Sequence, residues 1–395
     1  MILEQIPRLL RLCLVPFFLV APLPVRGSTP GPSSPPGPEA LFLVVFTPTT
    51  EGNTYWPEVH RAMAAAAEDL GVGIRFFEFP VDDRFAKFRE GAALLRQDPA
   101  PAGAIFSVAF GQARPLAEVA RERGIPFLIQ GPLFPEEENA LGGAPRKVFS
   151  NWTGTFREDE EEKGFLLAQT LIDAAAARGR HDGEGFIQVV GIGGDTSWFG
   201  SRLREAGLRR AVEADPRAQL LQTVPTRWTP EEGEAMAVRL LQRYPQVSVI
   251  WAASDQLALG AVQGIRSQGG SPGETHFTGG LDLSMTGLRA VRAGTLTATV
   301  ASSVYSYAEL VVYLYDYLQG IDFADEIGTD FSPRPYRVTG DNAAQVLELL
   351  KMYREVDYRR FSKHHNPGMG RYDFSLSRLP ELLDDPGNSS PGAAP

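Results

Sequence analysis

The stretch LFLVVFTPTTEGNTYWPEVHRAMAAAAEDLGVGIRFFEF, residues 41–79, decides the fold of this chain. It begins with a continuous apolar run, Leu41–Phe46, continues through an alanine-rich amphipathic stretch, Pro57–Leu70, and ends in a second apolar run, Ile74–Phe79. Short continuous apolar runs are typical of strands that are buried on both faces, and the amphipathic stretch is typical of a helix. The order strand, helix, strand predicts a parallel βαβ unit.

The same alternation continues along the chain and starts again after Phe149. In the first half, helices are predicted at Arg84–Gln97 and Arg114–Arg123, and strands at Ala104–Val108 and Pro126–Ile129. In the second half, helices are predicted at Phe165–Ala177, Arg202–Glu213, Glu231–Arg243, Gln256–Ser267 and Leu283–Ala293, and strands at Gly185–Gly191, Gln219–Thr223, Val247–Trp251 and His276–Gly280. We therefore expect an α/β protein with two doubly wound, Rossmann-like lobes.

The two ends of the chain differ from this core. Arg8 and Arg11 precede an apolar run, Leu12–Val20, and small residues follow near Gly27, so residues 1–27 are predicted to be a signal peptide for export to the periplasm. The alternatives are an N-terminal membrane anchor or a core helix. The single cysteine, Cys13, lies in this segment, so the processed chain would have no thiol. Residues 28–39 are predicted to be a flexible linker and residues 374–395 a disordered tail.

Composition and motifs argue against several classes of function. The formal net charge is −10 and no basic stripe is visible, so nucleic acid is not an expected partner. The segment Gly191–Thr196 matches a dinucleotide fingerprint only in part, and no cofactor is expected. The adjacent His364 and His365 do not have the spacing of a metal site, and a G-x-S-x-G nucleophile motif is absent. We do not expect an enzyme.

Ligands of doubly wound sheets bind beyond the carboxyl ends of the strands, so the loops there are the candidate site. The loop after the first strand contains Asn53, Tyr55 and Trp56. An aromatic ring can stack on the apolar face of a sugar while the asparagine binds its hydroxyl groups. The alternative is that the two aromatic residues only pack the next helix against the sheet.

The second half offers polar residues in matching positions. Arg202 is placed in the first turn of a predicted helix, and Arg204 competes for the same role. Ser254 and Asp255 open another helix, and Asp282 follows the next strand. Helix N-caps are the alternative interpretation of these last three residues. Together with an arginine, they supply the donors and acceptors that a polyol needs.

Four segments of the second half resemble a known family. These are DEEEKGFLLAQTLI (159–172), GDTSWFGSRLREAGLRRAV (194–212), VIWAASDQLALGAVQGI (249–265) and FTGGLDLSMTGLRAVRAGTLTATVA (277–301). They resemble the ribose-binding family of type I periplasmic binding proteins, which also contains the sensor cores of LacI-type repressors. Residues 336–360 and the pair Tyr55 and Trp56 are also similar to periplasmic autoinducer-2 receptors.

The resemblance implies two lobes joined by a three-stranded hinge. Their expected boundaries are residues 40–152 plus 304–328 for the N-terminal lobe, and residues 153–302 plus 334–373 for the C-terminal lobe. The family's ligand contacts carry over to Asn53, Tyr55, Trp56, Ser107, Arg202, Ser254, Asp255, Asp282 and Ser302. Ser107 stands where the family commonly has aspartate, and Ser302 where it has glutamine or asparagine. The ligand need not be ribose.

The resemblance further implies a periplasmic solute-binding protein that closes around a small polar ligand, a sugar, without changing it. Such a protein delivers its ligand to the membrane permease of an ABC transporter. The alternative is a ligand-sensing receptor subunit that signals to a membrane sensor kinase. A repressor would need an N-terminal helix-turn-helix, where this chain has the predicted signal peptide.

Overall fold

The computed structural model describes residues 41–79, 84–107, 111–303, 305–352 and 355–375. The predicted signal peptide, the linker 28–39 and all but the first two residues of the predicted tail lie outside these ranges. Within the described ranges, no helix combines the length and the apolar character needed to cross a bilayer.

Two sheets form the centres of two lobes. The first sheet contains β1 (Phe42–Pro48), β2 (Gly73–Phe79), β3 (Gly103–Ser107), β4 (Phe127–Gln130), β5 (Trp152–Phe156) and β11 (Asp330–Phe331) in the order β11-β5-β4-β3-β1-β2. The second contains β6 (Ile187–Ile192), β7 (Ala218–Val224), β8 (Val249–Ala252), β9 (Phe277–Gly280), β10 (Ala298–Ala301) and β12 (Tyr336–Thr339) in the order β12-β10-β9-β8-β6-β7. Described pairs are parallel except β10 with β12. The predicted α/β class is confirmed.

Helices connect the strands. The helices of the first half are α1 (Trp56–Asp69), α2 (Arg84–Arg96), α3 (Ala113–Glu122) and α4 (Pro135–Ala140). Those that follow β5 are α5 (Glu160–Ala177), α6 (Phe199–Ala214), α7 (Pro230–Arg243), α8 (Asp255–Ser267) and α9 (Met285–Arg292). The last ones are α10 (Ser306–Leu318), α11 (Ala324–Ile327), α12 (Ala343–Met352) and a 3₁₀ helix, Tyr358–Phe361.

The apolar run of β1 is buried because helices cover both faces of its sheet. Leu43 and Val45 pack into a core that includes Val59 and Met63 of α1. The side chains that alternate with them, such as Val44, pack on the other face with α3. Side chains of a strand alternate between two faces, so a central strand of a doubly wound sheet needs an apolar residue at every position.

The chain crosses between the two sheets at three places, which confirms the predicted hinge. The crossings lie between β5 and α5, between β10 and α10, and between β11 and β12. Both sheets have the same strand order, with the first strand of each between the second and the third. The switch point in each sheet therefore lies beside its first strand, β1 or β6.

The observed lobe boundaries differ from the expected ones. The first lobe includes all of β5 and also β11, so it extends past residues 152 and 328. The C-terminal segment was expected in the second lobe, but residues 358–375 pack on the first. The reason is Asp316 of α10, a buried carboxylate that accepts hydrogen bonds from Ser362 Oγ at 2.5 Å, Lys363 N at 2.7 Å and Tyr372 OH at 2.8 Å. Phe374, expected in the tail, stacks on Phe361 at 4.6 Å.

Two glycines let α5 and α6 approach closely. A Cβ atom at Gly207 of α6 would lie 2.0 Å from the carbonyl oxygen of Glu161, and one at Gly164 of α5 would lie 2.1 Å from the carbonyl oxygen of Arg204. Real Cβ atoms do not come this close to backbone atoms. The helix backbones can therefore pack at this distance only because both positions lack a side chain.

Gly207→Ala should lower the free energy of unfolding by about 1 to 3 kcal/mol, because the added methyl group pushes α6 away from α5. Gly183→Ala is the matched control, since a Cβ at this exposed position has no atom within 4 Å. It should change the stability by less than about 0.5 kcal/mol. Chemical denaturation of both variants measures the difference. Equal stabilities would contradict the close helix contact.

Candidate functional site

A cavity of about 250 Å³ lies between the two lobes at the carboxyl ends of both sheets. Its first-lobe wall is formed by Pro48, Thr49, Glu51, Gly52, Asn53, Tyr55, Trp56, Phe79, Ser107, Gln112, Gln130, Glu158 and Tyr307. Its second-lobe wall is formed by Glu160, Asp195, Ser197, Trp198, Arg204, Arg227, Trp228, Thr229, Ser254, Gln256 and Asp282. These residues come from the loops after strands and from the helices that follow, which is where doubly wound sheets bind ligands.

Three aromatic rings form one part of the first-lobe wall. Tyr55 and Trp56 meet nearly at right angles with centroids 5.6 Å apart, and Tyr307 of α10 is 6.2 Å from Tyr55 and 5.9 Å from Trp56. The hydroxyl group of Tyr55 donates to that of Tyr307 at 3.3 Å, and Gln130 Nε2 donates to the same oxygen at 3.0 Å. Apolar faces and polar edges are thus held in fixed positions beside the cavity.

Asn53 also has a structural role. Its Oδ1 accepts hydrogen bonds from the backbone N–H groups of Tyr55, at 2.8 Å, and Trp56, at 3.0 Å. These bonds hold the start of α1, which begins at Trp56. Asn53 therefore orients the two aromatic residues with its carbonyl oxygen, and its amide nitrogen is the group that it can offer to a ligand.

The opposite wall contains a second aromatic pair, Trp198 and Trp228, with centroids 6.0 Å apart. Trp228 has a φ of 73°, in the left-handed region that large residues rarely occupy. Its ring covers Gly194, where a Cβ atom would lie 1.9 Å away. The glycine in the segment 191–196 thus makes room for a tryptophan of the cavity wall.

A buried ion cluster joins the hinge to the cavity. Glu160 Oε2 lies 2.6 Å from Arg204 Nε and 2.8 Å from Lys163 Nζ, and Lys163 Nζ lies 3.2 Å from Glu158 Oε2. Arg204 also donates to the carbonyl oxygen of Ala253 at 2.6 Å. Burial alone would raise the pKa of Glu160, but Arg204 and Lys163 hold it below its ordinary value. Burial raises the pKa of Glu158.

Asp282 and Asp255 form a pair of buried carboxyl groups. Asp282 Oδ2 accepts from the backbone N–H of Asp255 at 2.9 Å, and Asp282 Oδ1 lies 4.0 Å from Arg204 Nη1. Burial, and then the nearby charge of Asp255, raise the pKa of Asp282 to about 8. Asp255 accepts from Thr299 Oγ1 at 2.7 Å and from Ser284 Oγ at 2.8 Å. Asp255 thus ties α8 to β10 and α9.

The lobes touch across the cavity. Thr54 of the first lobe donates to Gln256 Oε1 of α8 from its backbone nitrogen, at 3.0 Å, and from its hydroxyl group, at 3.3 Å. Phe134 of the first lobe packs on Phe199 of α6 with centroids 4.9 Å apart. The guanidinium group of Arg202 lies 5.1 Å from the centroid of Phe134. The structure is therefore a closed arrangement in which both lobes enclose the cavity.

The structure brings most of the predicted site residues together but not all of them. The members that line the cavity are Asn53, Tyr55, Trp56, Ser107, Ser254 and Asp282. Arg202 is exposed and contacts Phe134 outside the cavity wall. Arg204 occupies the position in the wall that was expected for Arg202. Asp255 is fully buried in its own network, and Ser302 is buried in the hinge without reaching the wall.

Ser254 lines the cavity and also has the alternative role considered for it. Its hydroxyl group accepts from the N–H of Leu257 at 3.2 Å, which caps α8. The assignment of ligand contacts to all of these residues stays a prediction.

Sequence reasoning missed several residues of the wall. Tyr307, Gln130, Trp198, Trp228, Glu158 and Glu160 were not predicted. Glu158 lies in the first crossing, Glu160 directly follows it, and Tyr307 follows the second crossing, so proximity to the hinge was an available signal. In the described part of the chain, no group of three or more His, Cys, Asp or Glu side chains is arranged to hold a metal ion.

Two doubly wound lobes, a three-stranded hinge and an enclosed polar and aromatic cavity define a hinged binding protein. Residues 44–321 match the family described as Periplasmic binding protein domain, and the chain belongs to this family. The prediction of a type I periplasmic binding protein fold is confirmed, as is the prediction that the chain is a binding protein rather than an enzyme. The likeness to autoinducer-2 receptors stays a prediction.

Three relatives illustrate the similarity. The D-allose-binding periplasmic protein of Escherichia coli K12 is 25% identical over 268 residues, which cover 67% of this chain and 79% of that protein. A ribose import binding protein of Salmonella typhimurium is 29% identical over 120 residues, or 30% of this chain and 38% of that protein. The crystal structure of a periplasmic sugar-binding protein from Pseudomonas fluorescens is 27% identical, has a TM-score of 0.75, and covers 86% of this chain and 99% of its own.

The raised pKa of Asp282 predicts a pH dependence of stability. A carboxyl group whose pKa is raised by folding stabilises the folded protein while it is protonated. This contribution to the unfolding free energy decreases as the pH rises above the pKa of the group in the unfolded chain, about 4. The loss continues up to its folded pKa of about 8. Asp282→Asn removes this titration and keeps an oxygen for the N–H of Asp255.

Between about pH 5 and about pH 8, the unfolding free energy of the unaltered protein should fall relative to that of Asp282→Asn by at least about 1 kcal/mol. Urea denaturation at both pH values measures this difference. Asp341→Asn, at an exposed position, is the matched control and should follow the unaltered protein. Parallel pH profiles for all three proteins would contradict the prediction.

Proposed function

We propose that this protein binds a sugar between its two lobes in the periplasm and delivers it to the permease of an ABC transporter. The observation that carries the proposal is the composition of the cavity. Aromatic rings and hydrogen-bonding side chains from both lobes surround a space of about 250 Å³ at the carboxyl ends of the two sheets. A sugar presents apolar ring faces and polar hydroxyl edges, so it needs both kinds of partner.

The relatives support the same ligand class. The similar protein from Escherichia coli is named as a D-allose-binding protein, and the one from Pseudomonas fluorescens as a sugar-binding protein. In the proposed complex, Trp56 and Tyr55 stack on the sugar, Asn53 and Arg204 donate to its hydroxyl groups, and Ser107, Ser254 and Asp282 complete the contacts. Membership of the family supports a periplasmic location, and the predicted signal peptide would direct export.

Closure of the lobes couples binding to recognition by the transporter. The contacts between Thr54 and Gln256 and between Phe134 and Phe199 are made across the cavity. A ligand that touches both walls adds contacts that exist only in the closed arrangement, so it shifts the population toward that arrangement. The permease then needs to recognise only the closed surface.

Ligand binding should distinguish Arg204 from Arg202. A panel of sugars screened by thermal shift identifies a ligand, and calorimetry then gives its affinity. Arg204→Lys keeps the charge but loses the planar fork that contacts Glu160 and Ala253, so it should weaken binding by at least about tenfold. Arg202→Lys is the matched control and should change the affinity by less than about threefold. A larger loss of affinity in Arg202→Lys than in Arg204→Lys would show that the ligand binds elsewhere.

Delivery to a transporter is tested in cells that lack the gene for this protein. Uptake of the labelled sugar found in the panel should be lost and should return with the unaltered protein. The Arg204→Lys variant, which binds the sugar more weakly, should restore uptake only at higher sugar concentration. Normal uptake in the deletion strain, with loss of a sugar-dependent transcriptional response instead, would favour the sensor-kinase alternative.

A further inference from the structure

The cavity wall contains more acidic than basic side chains. Among the described residues that line it, the acidic ones are Glu51, Glu158, Glu160, Asp195 and Asp282, and the basic ones are Arg204 and Arg227. A wall of this composition attracts cations and repels anions. A neutral polyol does not require such an excess of negative charge.

The buried members of this set matter most. Glu51 and Arg227 are exposed, so water and salt screen their charges. Glu158, Glu160 and Asp282 are at most 8% exposed, and the bases buried with them are Arg204, at 7%, and Lys163, at 1%. Asp282 is protonated below about pH 8, so Glu158 and Glu160 are the two buried carboxylates of the wall, and they share Arg204 and Lys163.

Glu158 is the carboxylate of the cluster that has a hydrogen-bond partner, within the described residues, for only one of its two oxygens. Glu160 contacts both Arg204 and Lys163, and Asp282 accepts from the N–H of Asp255. Glu158 has only Lys163, at 3.2 Å from Oε2, and its Oε1 is buried with no hydrogen-bond partner in the described structure. A buried carboxylate oxygen without a donor is costly, and a donor brought by a ligand removes that cost.

Aromatic rings stand beside this carboxylate. Glu158 lines the same cavity as Tyr55, Trp56 and Tyr307, and its negative charge adds to the effect of burial in raising the pKa of both tyrosines. Ring faces attract cations. In the other wall, Arg204 is the cation near the ring faces, with its guanidinium carbon 5.0 Å from the centroid of Trp198 and 5.9 Å from that of Trp228. Within the described residues, no cation lies over the ring of Tyr55, Trp56 or Tyr307 in this way.

We propose that the sugar preferred by this cavity carries a positively charged amino group, which binds at Glu158 between Tyr55, Trp56 and Tyr307. The inference rests on the proposed function and narrows its ligand to the class of amino sugars. The ammonium group supplies the donor that Glu158 Oε1 lacks. Sugars with a carboxylate or a phosphate group are disfavoured by the same wall.

The test compares matched sugars on the unaltered protein. The probes are glucose, galactose and mannose, each as the neutral sugar, the 2-amino sugar and the uronic acid, with 3-amino and 6-amino glucose to vary the amine position. Calorimetry is carried out at a pH at which the amines are protonated. For a parent sugar that binds, an amino form should bind about tenfold more tightly than the neutral form, because its hydrogen bond is charge-assisted. The uronic acid should bind most weakly.

Glu158→Gln tests whether this residue carries the preference. The amide has the same shape but no negative charge, so the affinity for the amino form should fall more than that for the neutral sugar, and the advantage of the amino form should drop to less than about threefold. Glu161→Gln is the matched control in the first turn of the adjacent helix α5, where the side chain is 39% exposed and pairs with Arg210 on the surface. It should retain the full advantage of the amino form.

The outcomes separate this inference from the proposed function. Binding of neutral sugars as tight as that of every amino form, or tighter binding of a uronic acid, overturns the amino-sugar inference and leaves sugar binding intact. Failure of all the sugars in this panel and in the wider thermal-shift panel overturns both. Because the ranking is measured on the unaltered protein, it decides the matter even where Glu158→Gln does not fold.

Discussion

The ion cluster of Arg204, Glu160, Lys163 and Glu158 is the interaction on which hinge, helix packing and cavity all depend. Glu160 accepts from Arg204 of the neighbouring helix and from Lys163 one turn along its own. These charges are buried, so they are tolerated only while each keeps its partners at hydrogen-bond distance. The glycine contacts between α5 and α6 keep that distance short. A change in helix packing would therefore reach the cavity wall directly.

The cavity wall also contains backbone conformations that cost free energy. Trp228 adopts a φ of 73°, and Leu283, next to Asp282, adopts a φ of 51°. Residues other than glycine are held in this region only where surrounding contacts enforce it, and such positions concentrate at functional sites. Here the enforcing contacts are the packing of Trp228 over Gly194 and the hydrogen bond from Leu283 N to Thr299 Oγ1 at 3.1 Å. Both contacts hold residues of the cavity wall in their orientation.

Arg204 lines the cavity at the place where Arg202 was expected, and this difference shows the limit of inference from the sequence. The two residues are two positions apart on α6, so they point to nearly opposite faces of the helix. Both stand near its start, and nothing in the local sequence states which face is inward. Gly207, three residues after Arg204 and on the same face, is the contact point with α5. The burial of Asp255 in its own network could not be foreseen for a similar reason, since an N-terminal helix position does not tell whether its carboxylate points to a cavity or to neighbouring strands.

The sequence by itself determined the class of fold, because the alternation of strand-length apolar runs and amphipathic helices is a local property. It also located the loops that follow the strands, since the direction of parallel strands puts those loops on one side. Only the tertiary structure decided which side chains form the site. Glu160 and Arg204 are 44 residues apart, and Gln130 and Tyr307 are 177 apart. Their contacts depend on the rotation and spacing of packed helices, which no local pattern encodes.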